Sequence, residues 1–300
     1  QKLQARIETG QAQAAASESD VPLRPAISTP TAVKSDDFEP FADPDMWPDW
    51  FRDWVSSGLG TATFRTSRAI LTVMGQTGAP LRSAVLAQAA PLAGHAKPGG
   101  AENRAINRLE KMGLLKKYVA SRGRIQPHLI HLTAKGEAAH RLLYGKQPVQ
   151  QETPQLLKLH SSPDHVYLIL ETQLLLEEAG FHGERYFEPI PVSTGAYHPD
   201  LIATYEGTTI YVEAERETQK DPAARRKKWQ KAITASGGEL YITVGTDKEI
   251  DPILSEVLYI AGQLRAETTI HAFATETVVY TKAEDKKRGW DIFIYEKHYP

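Results

Sequence analysis

The spacing of apolar positions predicts a helical unit in the first half of the chain. Apolar residues recur every three or four positions in three segments, as on one face of a helix, and Thr133 is placed to cap a fourth helix. Alternating apolar and polar residues between the third and fourth helices predict a two-stranded hairpin. The helices are predicted over residues 67–75, 81–92, 101–112 and 134–143, and the strands over residues 114–120 and 126–132.

In the second half of the chain the pattern alternates between strands and helices. This alternation predicts an α/β domain built around a mixed sheet. The helices are predicted over residues 163–179, 222–235 and 252–264. The strands are predicted over residues 185–190, 201–205, 208–215, 240–244, 269–274, 278–281 and 291–295.

The strands over residues 201–205 and 208–215 are predicted to form a hairpin. The register of this hairpin brings acidic residues together. Glu206-Gly207 suits a two-residue turn, which sets Tyr205 against Thr208 and Asp200 opposite Glu213. A four-residue loop would instead set Asp200 opposite Glu215. Side chains alternate along a strand, so Glu213 and Glu215 share one face in either register.

Three carboxylates at one place require compensation, by a cation or by a shifted pKa. Hard oxygen ligands of this kind suit Mg²⁺ or Mn²⁺, so Asp200, Glu213 and Glu215 are candidate metal ligands. The alternative is that the three residues are solvated on the polar face of the hairpin.

The beginning of the chain differs in composition from the rest. Residues 1–37 are rich in Gln, Ala, Ser and Pro and predict a flexible lead. Residues 38–58 are acidic and rich in Trp, and Trp47, Trp50, Phe51 and Trp54 would share one face of a short helix. That helix either packs on the next domain of the same chain or docks a protein partner through residues 38–54.

Charge is distributed unevenly and points to DNA as a partner. Residues 64–147 contain 14 basic and 3 acidic residues, a formal charge of +11, although the whole chain has a net charge of −2. On the predicted third helix Ile106 and Leu109 should face the core. The other side of that helix would carry a basic stripe made of Arg104, Asn107, Arg108 and Lys111.

Such a stripe is typical of a helix laid in the major groove of DNA. Phosphate contacts would come from Lys116, Lys117, Arg122 and Arg124. Two alternatives stay open: a merely solvated basic surface, or a helical domain that binds another protein.

Composition excludes several classes of protein. The chain has no Cys, which excludes disulfides and thiolate metal sites and fits a cytoplasmic location. No apolar run approaches the roughly 20 residues that span a bilayer, so no membrane association is expected. The chain begins with Gln rather than Met, which is compatible with a processed or truncated piece.

The first half resembles a known DNA-binding fold. Arg-Leu-Glu-Lys-Met-Gly-Leu-Leu, followed by His-Leu-Thr-Ala-Lys-Gly-Glu, resembles the ends of winged helix-turn-helix domains in bacterial regulators. The resemblance implies a winged helix DNA-binding domain over residues 60–146. A polar linker over residues 147–158 and a second domain over residues 159–300 would follow.

The second domain resembles the restriction-endonuclease-like PD-(D/E)xK nuclease superfamily. The resemblance rests on Pro199-Asp200 and Glu213-Ala214-Glu215, with one departure: Glu215 stands where the superfamily keeps Lys. Within that superfamily, residues 64–300 look like the replication-relaxation family of bacterial mobile elements such as plasmids. This resemblance implies that Lys228 replaces the missing Lys, with Lys231 as a spare candidate. It also implies that the opening helix supplies one more polar site residue, either His165 or Glu171.

These resemblances imply a DNA-binding protein of a mobile genetic element with a nuclease-like domain. Asp200 and Glu213 would hold one or two Mg²⁺ or Mn²⁺ ions for cleavage or nicking of DNA, and Glu215 could bind a second ion. Lys228 would orient the nucleophile or stabilise charge on the phosphate. The alternative is a catalytically inactive transcription or replication regulator, or an assembly subunit of a larger complex.

Overall fold

The computed structural model of this protein describes residues 39–121, 126–216, 221–281 and 285–300. Ten α-helices and ten β-strands are formed by these residues, which belong to one compact unit. The predicted flexible lead, residues 1–37, lies outside the described residues, as do Arg122 and Arg124 of the predicted basic loop.

The first half of the described chain is helical apart from one hairpin. Its helices are α1 (Asp49–Gly58), α2 (Ala62–Thr77), α3 (Arg82–Leu92), α4 (Gly100–Lys111) and α5 (Ala134–Tyr144). The hairpin lies between α4 and α5 and consists of β1 (Leu115–Val119) and β2 (His128–Leu132), paired antiparallel. The predicted order of elements is therefore confirmed, and α2 is longer than predicted at both ends.

Helix α2 lies at the centre of this helical part. The Thr61 hydroxyl caps its first turn by accepting a hydrogen bond from the Phe64 N–H, and Gly78 ends it in the left-handed conformation at φ 64°. Eleven of its sixteen residues are buried, so neighbouring helices cover it on most sides.

Helix α1 packs its aromatic face on the same core. Phe51 and Trp54 are buried there, and Trp47 and Trp50 are partly buried against it. The rings of Trp47 and Trp50 each meet Phe51 edge to face. The prediction that this helix packs on the chain's own next domain is confirmed.

Gly136 shows why the segment after β2 needs a glycine. A Cβ at this position would lie 2.0 Å from the Leu114 carbonyl oxygen, because the first turn of α5 crosses the start of β1. The Thr133 N–H also donates to that carbonyl, at 3.0 Å. Glycine therefore permits the close approach of α5 to the hairpin.

The second half of the chain contains helices on both faces of a sheet. Its helices are α6 (Glu152–His160), α7 (Pro163–Ala179), α8 (Pro222–Ser236), α9 (Asp247–Leu264) and α10 (Thr275–Tyr280). Its strands are β3 (His182–Glu184), β4 (Ile190–Val192), β5 (Gly195–Tyr197), β6 (Leu201–Tyr205), β7 (Thr208–Glu215), β8 (Glu239–Val244), β9 (Thr268–Ala274) and β10 (Tyr295–Tyr299).

Six of these strands form one mixed sheet, in the order β10-β9-β8-β7-β6-β3. The central strands β7, β8 and β9 run parallel, whereas β10, β6 and β3 join by antiparallel pairing. Helices α8 and α9 pack on one face of the sheet, and α7 packs on the other. The predicted α/β class with a mixed sheet is confirmed.

Three predicted strands are wrong in type or extent. Residues 185–189 form no strand, which fits Pro189, because proline has no N–H to donate to a ladder. Residues 275–280 form α10, although Val278 and Val279 are typical strand residues; Val278 packs beside α7. Residues 289–292 form a short 3₁₀ turn, and β10 begins only at Tyr295.

Two helices also differ from the prediction. Helix α9 begins at Asp247 rather than Pro252, because Thr246 and Glu249 form a capping box one turn earlier. Helix α6 lies where a polar linker is predicted. Its first residues are buried: the Thr153 hydroxyl donates to the Ile130 carbonyl at 2.7 Å, so this segment packs against β2.

The helical part and the α/β part are in direct contact. Leu129 of β2, Leu156 of α6, and Val166 and Leu170 of α7 form a small buried cluster. The Ser121 N–H at the end of β1 donates to the Asp164 carboxylate in α7 at 2.6 Å. Ser121 is the first residue of the predicted loop over residues 121–125, so this end of the loop is hydrogen-bonded to the α/β part.

Candidate active site

The hairpin of β6 and β7 determines the geometry of the candidate site. Tyr205 pairs with Thr208 and Leu201 pairs with Val212, so the turn has two residues and the first of the two predicted registers is confirmed. Glu206 and Gly207 both have positive φ, 48° and 81°, as such a turn requires. Continued by one residue, this register places Asp200 opposite Glu213.

The three predicted carboxylates are buried. Asp200, Glu213 and Glu215 are 7%, 1% and 2% exposed, so the alternative of solvated residues on a polar face is wrong. Because β7 lies inside a sheet covered on both faces, both of its faces are buried. Ala214 packs against α7, which directs Glu213 and Glu215 to the side of α8.

Helix α8 brings Lys228 to these carboxylates. Trp229, Ala232 and Ile233 bury one face of the helix against the sheet, and Lys228 precedes Trp229 directly. The Lys228 Nζ lies 2.5 Å from Glu213 Oε2 and 4.0 Å from Asp200 Oδ2, and it forms an ion pair with Glu215. Lys228 is therefore not a merely solvated residue of a basic run.

We refer to Asp200, Glu213, Glu215 and Lys228 as the carboxylate cluster. If all four side chains are ionised, its formal charge is −2, because one ammonium group faces three carboxylates. The other polar contacts of Asp200 and Glu213 are well formed: Asp200 Oδ2 accepts from the Ala214 N–H at 3.0 Å, and Glu213 Oε1 accepts from the Tyr197 hydroxyl at 2.6 Å.

The electrostatics of the cluster differ from residue to residue. Burial raises the pKa of Glu213 to about 7, because the attraction of Lys228 is opposed by repulsion from Asp200 and Glu215. Burial also acts to raise the pKa of Asp200, but Lys228, His160 and His165 outweigh it and hold that pKa well below its usual range. The pKa of Lys228 is raised, since its three acidic neighbours outweigh its burial.

Tyr197 is a buried hydroxyl group that faces the cluster. Its side chain is 3% exposed, and both burial and the neighbouring Glu213 raise its pKa well above the ordinary value. Tyr197 is therefore a neutral hydrogen-bond donor that orients the Glu213 carboxylate. It is the last residue of β5 in the short β4–β5 hairpin, and its position there carried no chemical signal in the sequence.

Two histidines also contact Asp200. His165 Nε2 lies 3.2 Å from Asp200 Oδ2, and His160 Nδ1 lies 3.3 Å from Asp200 Oδ1. Their rings meet edge to face with centroids 5.1 Å apart. His165 was one of the two candidates on the opening helix; His160 was missed, because it belongs to a different helix from His165.

The remaining candidates of this domain lie in other surroundings. The Lys231 Nζ donates to the Ala196 carbonyl at 2.9 Å, so the spare lysine contacts the β4–β5 hairpin. Glu171 is buried in α7 and accepts a hydrogen bond from the Tyr167 hydroxyl at 3.4 Å. His198, which is not one of the predicted site residues, precedes the Pro-Asp pair and is exposed.

The basic stripe lies on the surface of the helical part. Arg104, Asn107, Arg108 and Lys111 of α4 are all exposed, whereas Ile106 and Leu109 are fully buried, so the predicted orientation of the helix is confirmed.

The described lysines of the hairpin have neighbours of their own. Lys117 forms an ion pair with Glu110 at 2.8 Å, and the Lys116 ammonium lies 4.9 Å from the centre of the Tyr118 ring. Both lysines are partly or fully exposed and could reach a ligand only by leaving these weak surface contacts.

Comparison of the chain with protein-family models, with curated proteins and with solved structures gives no match. None of the helices in the described part of the chain combines the length and the apolar composition that crossing a membrane requires.

Proposed function

We propose that this chain is a DNA-binding protein whose α/β part cuts or nicks DNA with the help of a divalent metal ion. The observation that carries the proposal is the carboxylate cluster, in which three buried acidic residues converge on one lysine. Burial of so many charges is costly unless they are compensated, so a cluster of this kind is typical of a functional site.

The formal charge of the carboxylate cluster supports a divalent cation as its ligand. When all four side chains are ionised, the cluster carries two formal negative charges, which is the charge that one divalent ion would neutralise. Burial, together with repulsion from Asp200 and Glu215, raises the pKa of Glu213 to about 7 despite the attraction of Lys228, so a bound cation would favour the ionised form of Glu213. The oxygen donors of Asp200 and Glu213 are of the type that Mg²⁺ and Mn²⁺ prefer.

Each residue has a role in this proposal. Asp200 and Glu213 would hold the ion, with Glu215 as a further ligand for a second ion. When bound, a divalent ion makes a coordinated water a better nucleophile and draws charge from the phosphate. Lys228 lies close enough to all three carboxylates to orient the attacking water or to stabilise negative charge on the phosphodiester.

The helical part supplies the DNA contacts in this proposal. After α1, its order of three helices (α2, α3 and α4), a hairpin and a final helix is the order of a winged helix-turn-helix domain, and α4 presents the exposed basic stripe. The order of elements in the α/β part and the Pro-Asp and Glu-x-Glu positions support a nuclease-like domain of the replication-relaxation type, as expected for a protein of a mobile genetic element.

A second candidate is a DNA-binding regulator without catalytic activity. It is favoured by the position of Lys228, whose ammonium group already lies between Glu213 and Glu215. In this case the lysine would serve as a permanent internal cation, and the α/β part would act in binding or in assembly with a larger complex. Within the described part of the predicted partner-docking segment, Phe41 and Met46 are the large apolar side chains that remain exposed.

Incubation with supercoiled plasmid in Mg²⁺ or Mn²⁺ distinguishes the two candidates. The proposal predicts nicked or linear product with the wild type, and a loss of about 10²-fold or more in rate with Asp200→Asn or Glu213→Gln. His198→Gln, a change of an exposed residue near Asp200, is the matched control and should retain activity. Absence of cleavage in every sample, or equal cleavage by all variants, would favour the regulator.

A further inference from the structure

Two histidines and one aspartate converge beside the carboxylate cluster, in a place where the proposed function uses only the aspartate. His160 is the last residue of α6, and His165 lies in the first turn of α7. The chain reverses between them at Ser161, which adopts the left-handed conformation at φ 59°. This reversal brings both imidazole rings to Asp200.

The spacing of these groups matches the spacing of ligands around a tetrahedral ion. With bonds of about 2.0–2.1 Å to nitrogen and oxygen, two ligand atoms of such an ion lie about 3.4 Å apart. The observed nitrogen-to-oxygen distances are 3.3 Å from His160 to Asp200 Oδ1 and 3.2 Å from His165 to Asp200 Oδ2, so each imidazole lies at this spacing from one of the two carboxylate oxygens. One ligand atom from each of the three residues can be chosen so that all lie within 4.8 Å of one another.

Lys228 does not form a close ion pair with Asp200. The lysine ammonium contacts Glu213 and Glu215 closely, but it is 4.0 Å from the nearer oxygen of Asp200. Asp200 is therefore contacted more closely by the two imidazole rings than by the lysine, and each ring can present a nitrogen lone pair when neutral.

The three side chains are sheltered but still reachable. His160, His165 and Asp200 side chains are 14%, 16% and 8% exposed, so an ion could enter from solvent and yet be largely enclosed. Three protein ligands leave at least one coordination position for water or for a phosphate oxygen, as in catalytic rather than structural metal sites.

We infer that His160, His165 and Asp200 form a binding site for a divalent transition metal of the zinc class. Two imidazole nitrogens and one carboxylate oxygen suit Zn²⁺ and its neighbours Co²⁺, Ni²⁺ and Fe²⁺, whereas Mg²⁺ prefers an all-oxygen set. The inference deepens the proposed function, because it assigns a second metal preference to the same Asp200. The experiment that tests this inference, however, measures metal binding and not DNA cleavage.

The test is equilibrium dialysis of the full chain, stripped of metal by a chelator, against Zn²⁺ in a large excess of Mg²⁺. We expect one bound zinc per chain. Co²⁺ in place of Zn²⁺ should give the visible absorption of a four- or five-coordinate site. His160→Gln and His165→Gln should each weaken zinc binding by about tenfold or more.

These substitutions distinguish metal ligation by the two histidines from hydrogen bonding of the histidines to Asp200. A glutamine amide can still donate to Asp200, so a role of the histidines as mere donors predicts unchanged metal binding and would overturn the inference. His182→Gln and His198→Gln change exposed histidines and serve as controls. Circular dichroism of each variant checks that it folds, and His160→Asn repeats the test with a shorter side chain if a Gln variant does not.

The outcomes distinguish the two proposals. A chain that binds no zinc, or loses it equally in the control variants, refutes the histidine site, even if it cuts plasmid with Mg²⁺. A chain that binds zinc through both histidines but cuts nothing supports the histidine site and refutes the proposed nuclease function.

Discussion

The basic stripe on α4 and the carboxylate cluster beside α8 are both sets of charged residues, but one is exposed and the other is buried. Exposed charges keep their hydration, so folding neither favours nor opposes the stripe, and its residues are free to meet a ligand. The carboxylate cluster has lost hydration and is held by one lysine and by hydrogen bonds. Buried charge is therefore the stronger indication of a built site.

The largest effect should come from removing the lysine of the carboxylate cluster. Lys228→Met leaves three buried carboxylates without a cation, so we expect the free energy of unfolding to fall by about 3–5 kcal/mol at pH 8. Urea unfolding measures the change. Adding Glu213→Gln should recover part of the loss, because one of the unpaired charges is removed with it.

Lys231→Met is the matched control for that variant, since Lys231 lies on the same helix and donates to a backbone carbonyl instead. We expect it to change the free energy of unfolding by about 1 kcal/mol or less. Equal effects of the two lysine substitutions would mean that the buried cluster is not special and would remove the contrast between the two regions.

The basic stripe should show the opposite behaviour, with loss of binding at constant stability. Arg104→Ala combined with Arg108→Ala, both assigned to the major groove, should weaken DNA binding by about 2–4 kcal/mol. Lys116→Ala, which removes a predicted phosphate contact, should lower the slope of log K against log salt by about 1. The free energy of unfolding should stay within about 0.5 kcal/mol of the wild type. Fluorescence anisotropy with a short duplex at several salt concentrations measures both the affinity and the slope.

The matched control for the stripe is Arg226→Ala combined with Lys227→Ala. These exposed residues of α8 carry the same charge but lie outside the helical part. An equal loss of DNA affinity with this pair would show that binding follows overall charge rather than the stripe.

The smallest of the three effects is a pH dependence of stability that originates in Glu213. Its pKa is about 7 in the folded chain, against an ordinary value of 4.5 that applies in the unfolded chain. The folded state therefore binds more protons between pH 4.5 and 7, so ionisation of Glu213 lowers the free energy of unfolding as pH rises through this window. Asp200 contributes no change here, because its pKa is lowered.

Glu213→Gln removes this dependence. We expect the stability of the variant relative to the wild type to increase by about 2 kcal/mol between pH 5 and pH 8 in metal-free buffer, as urea unfolding would show. The helical part has the opposite sensitivity: burial lowers the pKa of His131 and His140, so protonation in the unfolded state destabilises it below about pH 6.5. A constant difference between variant and wild type would contradict the raised pKa of Glu213.

The parts of the fold that could be predicted were those with strong local patterns. The apolar periodicity of α2, α4 and α7 and the Glu206-Gly207 turn are properties of short segments, and all were found in the structure. Predictions failed where packing overrode local preference, as in α10, where two valines lie in a helix. They also failed at α6, because a polar segment can still bury its first residues when it has partners such as the Ile130 carbonyl.

The same distinction between local sequence pattern and tertiary packing applies to the candidate site. The sequence by itself determined that Asp200 faces a glutamate, either Glu213 or Glu215, and that these two glutamates share one face, because side chains alternate along a strand in either possible register. The structure selects the two-residue turn and therefore Glu213. Only the tertiary structure decided that these carboxylates are buried, that Lys228 lies among them, and that His160 and Tyr197 join them. Those contacts join segments that are distant in the chain, and their geometry depends on how helices pack on the sheet, which no local pattern encodes.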